Sequence, residues 1–465
     1  MPPGPFPLPI IGNFHQTGFN PPFSMEKLRE KYGDIYTVSF PIGTFVVVND
    51  GQLAREMMAK DDFACRPGAL TFPSLEVFEG KNIVYSELGS NYTFRRKIVT
   101  SALHVFGEGL QLAEERVNIE IQELLDRLYS TDGEPFCIRE QLSMTMINVI
   151  TRWMFTKQFE FGHPTLKMLA DLDEKMMTLF RQGSFYQVFP FLKYLPNTDI
   201  SICLEDVIKI RDEFLAKELQ QHHETRQDDK IRDITDALLA AFEKEKLRNT
   251  NTDIRSYHDI KYLLVDIVIG ATGTITSTLT WMIVFLVINQ NVQKKLHQQL
   301  DETIGRHRLP CWKDAENLPY VLATICETMR YSVFIPCLPR KANRDTIIRG
   351  KIIPKDTGVL INLWHIYTNP KDWDDPESFK PERFLDCDGK FIGWNTLSNF
   401  IPFGAGRRAC VGQSLGKMDT FAAASRMLHQ FHFNVSPGVP APTREGVTGL
   451  IRLPKHTIIS AHPRD

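Results

Sequence analysis

The sequence predicts a mainly α-helical fold with small β-sheets, on two observations. Between about residues 100 and 300, apolar residues recur at three- and four-residue spacing, as in "LQLAEERVNIEIQELLDRLY", which is the period of an amphipathic helix. Strand-like segments are short and lie towards the two ends of the chain. A hydrophobic content of 43% in 465 residues supplies enough apolar side chains for a large core. The pattern alone leaves open how many compact units the chain makes.

The individual elements follow in chain order. Within residues 26 to 60, "MEKLREKYG" has helical character, and "IYTVSF" and "TFVVVND" have the composition of strands. Further along, "EDVIKIRDEFLAKELQQHHETR" predicts an amphipathic helix, and "EKEKLRNTNTD" predicts a solvated loop. After residue 340, "TIIRGKIIPKDTGVLINLW" predicts two short strands, and "GQSLGKMDTFAAASRMLHQF" predicts the last helix.

Residues 269 to 281, "IGATGTITSTLTW", combine conflicting signals. Threonine at every second position from Thr272 to Thr280 has the period of a strand. Gly270 and Gly273 weaken a helix and a strand alike. The apolar flanks "YLLVDIV" and "WMIVFLVINQ" make the whole segment much longer than an ordinary strand. Glycines and hydroxyls inside such a long buried element point to a function for it.

Charge and cysteine content exclude several classes of protein. The formal net charge of -2 gives no support for a nucleic-acid partner. The eight cysteines are spread singly without a CxxC pair, which argues against a zinc site and favours a reducing compartment. The opening "MPPGPFPLPIIGNF" is not a signal peptide, and we expect no apolar run of membrane-spanning length.

An aromatic segment, "FYQVFPFLKYLPN", has two interpretations. A buried loop is slightly favoured. The alternative is an apolar lip over a pocket or against a membrane surface, because several large apolar groups are clustered between Phe185 and Tyr194.

The segment "FIPFGAGRRACVGQSLG" carries the strongest indication of chemistry. Cys410 follows a glycine-rich loop and comes directly before a predicted helix, whose free N–H groups and dipole favour a thiolate. Gly404, Gly406 and Gly412 permit tight backbone geometry where a flat ligand must approach closely. The arginine pair before Cys410 supplies positive charge suited to carboxylates or phosphate. Because a lone cysteine near glycines is usually structural, the interpretation depends on the whole spacing.

This segment resembles the haem-binding signature F-x-x-G-x-R-x-C-x-G of the cytochrome P450 family. Phe403, Gly406, Arg408, Cys410 and Gly412 match its five fixed positions. The resemblance implies haem b as the cofactor, with Cys410 as the axial ligand of the haem iron and the other matched residues around the haem.

The resemblance covers essentially the whole chain and also implies its organisation. We expect a single large haem domain with the cytochrome P450 fold over residues 26–465. Residues 1–25 would then be a proline-rich hinge that follows a missing membrane anchor.

Two further motifs occur in the order that the family has them. "ETMR" is similar to the family's E-x-x-R helix motif and supplies Glu327 and Arg330, while "PERF" supplies Arg383. On a helix, residues three apart share a face and can pair. Such a pair is usually a surface ion pair of little value. In the family the three form a buried structural network, which is the role we expect for them here.

Four residues are candidate partners of the haem propionates. Arg408 matches the family arginine. "NYTFRR" is similar to the motif W-x-x-x-R, so that Arg96 matches and Tyr92 stands where tryptophan is usual. A phenol can still donate a hydrogen bond. Arg340 stands where many relatives carry histidine. The alternative for Arg96 and Arg340 is solvated charge.

The conflicting segment resembles the family's long central helix, which crosses the distal face of the haem. Its usual pattern is [A/G]-G-x-[D/E]-T-[T/S], where small residues admit oxygen and substrate and the threonine hydroxyl holds water. Thr274 occupies the threonine position, and we expect it to organise proton delivery. The acid is absent because Gly273 replaces it. We therefore expect slow or poorly coupled O2 chemistry.

The main functional hypothesis is a haem-thiolate monooxygenase that inserts one oxygen atom of O2 into an apolar, possibly steroid-like substrate. Within the family, several segments of the chain look most similar to the animal microsomal branch, near the steroid 17α- and 21-hydroxylases and the aryl-hydrocarbon-oxidising enzymes. That branch implies the cytoplasmic face of the endoplasmic reticulum membrane as the location. It also implies electrons from NADPH through NADPH–cytochrome P450 reductase, with cytochrome b5 as a further candidate partner.

Two other functions keep the haem. Without an acid at Gly273, the protein could rearrange a peroxide or endoperoxide, needing neither O2 nor a reductase. It could also be a haem or sterol carrier without catalytic activity. The retained Thr274 favours the monooxygenase.

Overall fold

The computed structural model describes residues 1–18, 21–68, 74–107, 110–188, 198–227, 230–248, 253–447 and 451–464. The fold is mainly α-helical with several small sheets in one domain, which confirms the predicted fold class. Its helices are α1 Phe14–Thr17, α2 Pro21–Tyr32, α3 Gly51–Ala59, α4 Ser74–Phe78, α5 Ser90–Gly107, α6 Leu110–Tyr129, α7 Ile138–Phe155, α8 Pro164–Val188, α9 Asp199–Lys209, α10 Ala216–Thr225, α11 Ile234–Arg248, α12 Ile260–Ile288, α13 Gln290–Ile304, α14 Pro319–Ser332, α15 Leu363–Thr368 and α16 Gln413–Gln430.

The strands form four small sheets in the described part of the chain. Their bounds are β1 Ile35–Phe40, β2 Gly43–Val48, β3 Phe136–Cys137, β4 Cys337–Lys341, β5 Thr346–Ile348, β6 Lys351–Ile353, β7 Gly358–Asn362, β8 Phe431–Asn434, β9 Gly446–Val447, β10 Leu453–Pro454 and β11 Ile458–Pro463. The largest sheet has the order β1-β2-β7-β4, in which β2 and β7 are parallel. A second sheet has the order β3-β11-β8. The pairs β5-β6 and β9-β10 are separate.

The segment predicted to hold two strands holds three. β5 and β6 form a hairpin around Arg349 and Gly350, which both have positive φ. After the turn at "PKDT", β7 begins and joins the larger sheet. The prediction merged elements because the two turns lie too close together to separate by composition.

Helix α12 is the centre of the core. It packs against α7, α8, α14 and α16, and the Trp281 and Phe285 side chains on it are 0% exposed. Its threonines do not form a strand. Thr272, Thr274 and Thr280 each donate the side-chain hydroxyl to the carbonyl four residues earlier, at 2.6 to 2.7 Å. These bonds satisfy the hydroxyls inside the helix, so the alternating pattern is compatible with it.

One described segment, Tyr257–Ile288, is long and apolar enough to cross a membrane by length and composition. The expectation that no such segment exists is wrong, because the prediction stopped the apolar run at its polar residues. Most of the segment is buried inside the protein, as in the core helix of a globular domain.

The remaining predictions about the fold concern the N-terminal hinge and the aromatic segment. At the N-terminus, the Thr37 backbone N–H on β1 donates to the Pro3 carbonyl at 2.8 Å, and α2 runs across the predicted boundary at residue 25. The division into a hinge and a haem domain stays a prediction. The aromatic segment from Phe185 to Tyr194 lies outside the described side chains.

Candidate haem and substrate site

A cavity of about 260 Å³ lies between α12 and the segment that leads into α16. On one wall are Gly270, Ala271 and Thr274 of α12. Cys410 and Gly412, from the segment before α16, line the same cavity. These two groups of residues are far apart in the sequence, and the fold brings them together around one cavity.

The loop before Cys410 is fixed by its backbone. The Cys410 N–H donates to the Phe403 carbonyl at 2.9 Å, which closes the glycine-rich turn. Gly404 and Gly406 have φ of 68° and 67°, a conformation that side chains other than glycine rarely adopt. A Cβ on Gly406 would also lie 2.1 Å from the Met58 carbonyl oxygen. Gly406 therefore lets the loop pack against α3 and does not line the cavity, whereas Phe403 does.

Arg96, Tyr92 and Arg408 line the cavity beside Cys410. The Tyr92 hydroxyl donates to the Arg407 carbonyl at 2.7 Å, and Arg96 Nη2 donates to the Ala409 carbonyl at 2.8 Å. The Arg408 guanidinium lies 3.8 Å from the centre of the Tyr92 ring. It donates to three backbone carbonyls, at 2.6 to 3.1 Å. These contacts place positive charge along one edge of the cavity.

Arg340 is buried rather than solvated, with 2% of its surface exposed. It lies behind the cavity wall on β4, donates to the Pro339 carbonyl at 3.0 Å, and is not among the residues that line the cavity. Burial and the nearby charges of Arg66 and Arg408 hold its pKa well below the usual range. Both alternatives for Arg340 therefore need correction, since it neither faces solvent nor reaches the cavity.

Away from the cavity, Glu327, Arg330 and Arg383 come together as expected. Arg330 donates from Nε and Nη2 to the two Glu327 carboxylate oxygens at 2.7 and 2.6 Å, and both side chains are 0% exposed. Arg383 Nε lies 3.4 Å from Glu327 Oε1. Arg330 also donates to the Tyr367 carbonyl at 2.8 Å, which links α14 to α15.

A family model for cytochrome P450 matches residues 2–461. The chain belongs to the cytochrome P450 family. The family depends on haem iron and takes electrons from a reductase, and the relatives are monooxygenases, so this chain is an oxidoreductase of that kind.

Curated relatives match the chain over most of its length. It is 33% identical to steroid 17-alpha-hydroxylase/17,20 lyase of Ictalurus punctatus, over 97% of this chain and 89% of the relative. It is 32% identical to cytochrome P450 1A1 of Sparus aurata, over 94% of this chain and 86% of the relative. Cytochrome P450 2D4 of Rattus norvegicus is also 32% identical, over 100% of this chain and 93% of the relative.

The cavity fits a haem on two structural grounds. A Cβ on Gly270, Gly412 or Gly416 would meet nothing within 4 Å, so both walls leave flat space beside Cys410. In addition, Arg66 and Arg408 have no carboxylate within ion-pair distance among the described residues, and burial lowers the pKa of Arg66 to about 10. Partly buried cations without a counter-ion are costly, and the carboxylates of a haem would relieve that cost.

Cys410 is exposed to the cavity while lying deep within the protein. Burial raises the pKa of its thiol, whereas the Gly412 backbone N–H and the charge of Arg96 lower it. The net effect raises the pKa of the Cys410 thiol. The Gly412 backbone N–H at the helix terminus favours the thiolate, as expected, but desolvation is the larger influence on the free thiol.

Asp266 and Trp153 are among the cavity-lining residues that sequence reasoning missed. The Asp266 carboxyl on α12 accepts from the Ile83 N–H at 2.5 Å, and burial raises its pKa to about 7. The signal was available, since Asp266 is the acid within the apolar run "YLLVDIV". Trp153 on α7 also lines the cavity, and its indole Nε1 has no hydrogen-bond partner among the described residues. A single tryptophan in a helix gives no comparable signal.

Proposed function

We propose that this protein is a haem-thiolate monooxygenase that inserts one oxygen atom of O2 into an apolar substrate of steroid-like or polycyclic class. Electrons come from NADPH through NADPH–cytochrome P450 reductase. The observation that carries the proposal is that Cys410 and Thr274, from two different elements, line one mostly apolar cavity.

Cys410 would be the axial ligand of the haem iron. Metal coordination removes the thiol proton, so the raised pKa of the free thiol does not oppose this role. Arg96, Arg408 and Tyr92 would meet the propionates from the charged edge of the cavity, and Phe403 and Gly412 would contact the macrocycle. When bound, the haem supplies the activation of O2, which the thiolate ligand promotes.

Arg340 and Gly406 would support the haem indirectly. Arg340 adds positive charge close to Arg66 and to the propionate partner Arg408. Gly406 keeps the Cys410 loop packed against the Met58 carbonyl on α3. Neither side chain is assigned a contact with the macrocycle.

The substrate would be held mainly by apolar contact. The lining supports this, because its members other than the charged edge, Asp266 and the residues around Cys410 are largely apolar: Ile83, Val84, Val99, Leu103, Ile150, Trp153, Ile234, Ile267, Ile275, Met329 and Phe334. The similarity to a relative named as a steroid hydroxylase supports the steroid-like class.

Thr274 would order water and protons on the cavity face of α12. Its hydroxyl donates to the Gly270 carbonyl at 2.7 Å, which leaves the oxygen lone pairs free to accept from water. Gly270 and Ala271 leave room for O2 and substrate beside it.

The location and partners follow from the microsomal type of the relatives. We propose the cytoplasmic face of the endoplasmic reticulum membrane, with the reductase as electron donor and cytochrome b5 as a further partner. The membrane surface itself is part of this proposal.

Peroxide or endoperoxide rearrangement is the second candidate, favoured only by the lack of an acid at Gly273. A haem or sterol carrier is the third. The test is product analysis with reductase and NADPH against a panel of steroids and aryl hydrocarbons. NADPH-dependent product supports the monooxygenase, whereas product from added peroxide substrate without NADPH supports the rearrangement. Spectral binding without product under any oxidant supports the carrier.

A further inference from the structure

The helix position that lacks the family's acid has a carboxylate beside it. A Cβ built on Gly273 of α12 would lie 2.6 Å from Oδ1 and 3.0 Å from Oδ2 of Asp173, which belongs to α8. Real Cβ atoms do not approach that closely. The space that a side chain at position 273 would need is therefore already taken by the Asp173 carboxyl group.

The Asp173 carboxyl is placed to exchange protons. It is 8% exposed, and its Oδ1 has no hydrogen-bond partner among the described residues. Burial raises its pKa to about 6, with Arg139 of α7 and the Thr272 hydroxyl acting in the opposite direction and Glu174 reinforcing the rise. A carboxyl with such a pKa exists in both protonation states near neutral pH, as a general acid should.

The surroundings of Asp173 connect it to the cavity face of α12. Thr272 is buried on its side of the helix, whereas Thr274 lines the cavity. Gly273 lies between these two threonines in the sequence and, without a side chain, leaves room for the Asp173 carboxyl beside the helix. The carboxyl therefore lies next to α12 one residue before Thr274.

We propose that Asp173 supplies from α8 the carboxyl group that other family members carry on α12, and that it delivers protons towards Thr274. The inference rests on the proposed monooxygenase function. In that reaction O2, substrate, two electrons and two protons give hydroxylated product and water. The Asp173 carboxyl releases a proton towards Thr274 and takes one from solvent, so it is unchanged after each turnover. Because it touches neither substrate nor haem, Asp173 is a positioning residue.

This assignment changes two expectations drawn from the sequence. Poor coupling no longer follows from the glycine, because the acid is present on another helix. Introducing aspartate at Gly273 alone should also bring no gain, since the Asp173 carboxyl would have to move aside and a second carboxyl group would lie against it. If Asp173 had only a structural role, it would fill the same space. Replacing it with asparagine would then leave the coupling of NADPH to product unchanged.

The test compares Asp173→Asn with Asp171→Asn, the same substitution at a neighbour on the same helix. With reductase and NADPH, Asp173→Asn should lower product per NADPH about tenfold or more, because general acid catalysis typically contributes about 10²- to 10⁴-fold, and Asp171→Asn should not. With hydrogen peroxide in place of O2 and NADPH, Asp173→Asn should match the wild type, because peroxide brings its own protons. Equal coupling in Asp173→Asn and wild type overturns the inference and leaves the monooxygenase intact.

Two further measurements distinguish a failure of the Asp173 inference from a failure of haem loading or of the proposed monooxygenase function. The double variant Asp173→Ala with Gly273→Asp moves the carboxyl to α12 and should restore coupling, and it carries the test if Asp173→Asn does not load haem. Uncoupled turnover in that double variant counts against the inference. Infrared spectroscopy gives a readout without turnover: the wild type should show a carboxylic acid band that fades as the pH passes the Asp173 pKa of about 6 and is absent in Asp173→Asn. A band unaffected by the substitution overturns the titration of Asp173 whether or not the wild type makes product.

Discussion

The substitution Glu327→Gln tests whether the buried network holds the fold. Glu327 receives two hydrogen bonds from Arg330 at 2.6 and 2.7 Å and one from the Lys380 backbone N–H at 2.9 Å. Both ion-pair side chains are 0% exposed, so the variant leaves the Arg330 charge buried without its counter-ion. Breaking one partner of such a pair costs about 3–5 kcal/mol. Folded domains have only about 5–15 kcal/mol of stability, so this is a large loss.

The assay is denaturant unfolding of the haem-loaded protein, followed by far-ultraviolet circular dichroism. The matched control is Glu382→Gln, which weakens an ion pair to Lys295 whose side chains are 47% and 59% exposed. Exposed pairs contribute about 0–1 kcal/mol, so the control should unfold close to wild type. Equal midpoints for Glu327→Gln and Glu382→Gln would refute the assignment of Glu327 as a structural residue.

Three further predictions concern the site. Cys410→Ala should abolish the red-shifted Soret band of the reduced carbon monoxide complex and Cys387→Ala should keep it; a normal band in Cys410→Ala would exclude that ligand. Arg96→Gln should lower the haem content of purified protein through loss of a propionate partner, and unchanged content under dilution would contradict this role. The pKa of Asp173 is about 6 in the folded protein and 3.8 in the unfolded chain, so the folded state holds its proton more tightly. As the pH rises from about 4 to about 7, the free energy of unfolding of the wild type should therefore fall by up to about 3 kcal/mol relative to that of Asp173→Asn. Parallel stability curves for the two proteins would show that the carboxyl is not titrating as stated.

The long central helix shows what composition could and could not predict. Period analysis alone favours a strand for the alternating threonines. Each of Thr272, Thr274 and Thr280 instead returns its hydroxyl to a carbonyl within α12, a local bond that period analysis ignores. The helix in this segment was predicted only from the resemblance to the family pattern.

The site was predictable where the residues share a short motif. Cys410 and Phe403 are close in sequence and line one cavity. Arg340 was less predictable, because its burial depends on where β4 packs. Asp173 had no signal at all, since its contact with Gly273 joins two helices far apart in the chain. A missing motif residue can be replaced by a residue from elsewhere, and only the fold reveals the replacement.

The origin of the oxygen in the product tests the central claim most directly. The haem-loaded protein would be turned over with reductase, NADPH and an apolar substrate under isotopically labelled O2, and the product mass measured. We predict hydroxylated product that carries one labelled oxygen atom and forms only with NADPH. Product that forms without NADPH and carries no label would contradict it.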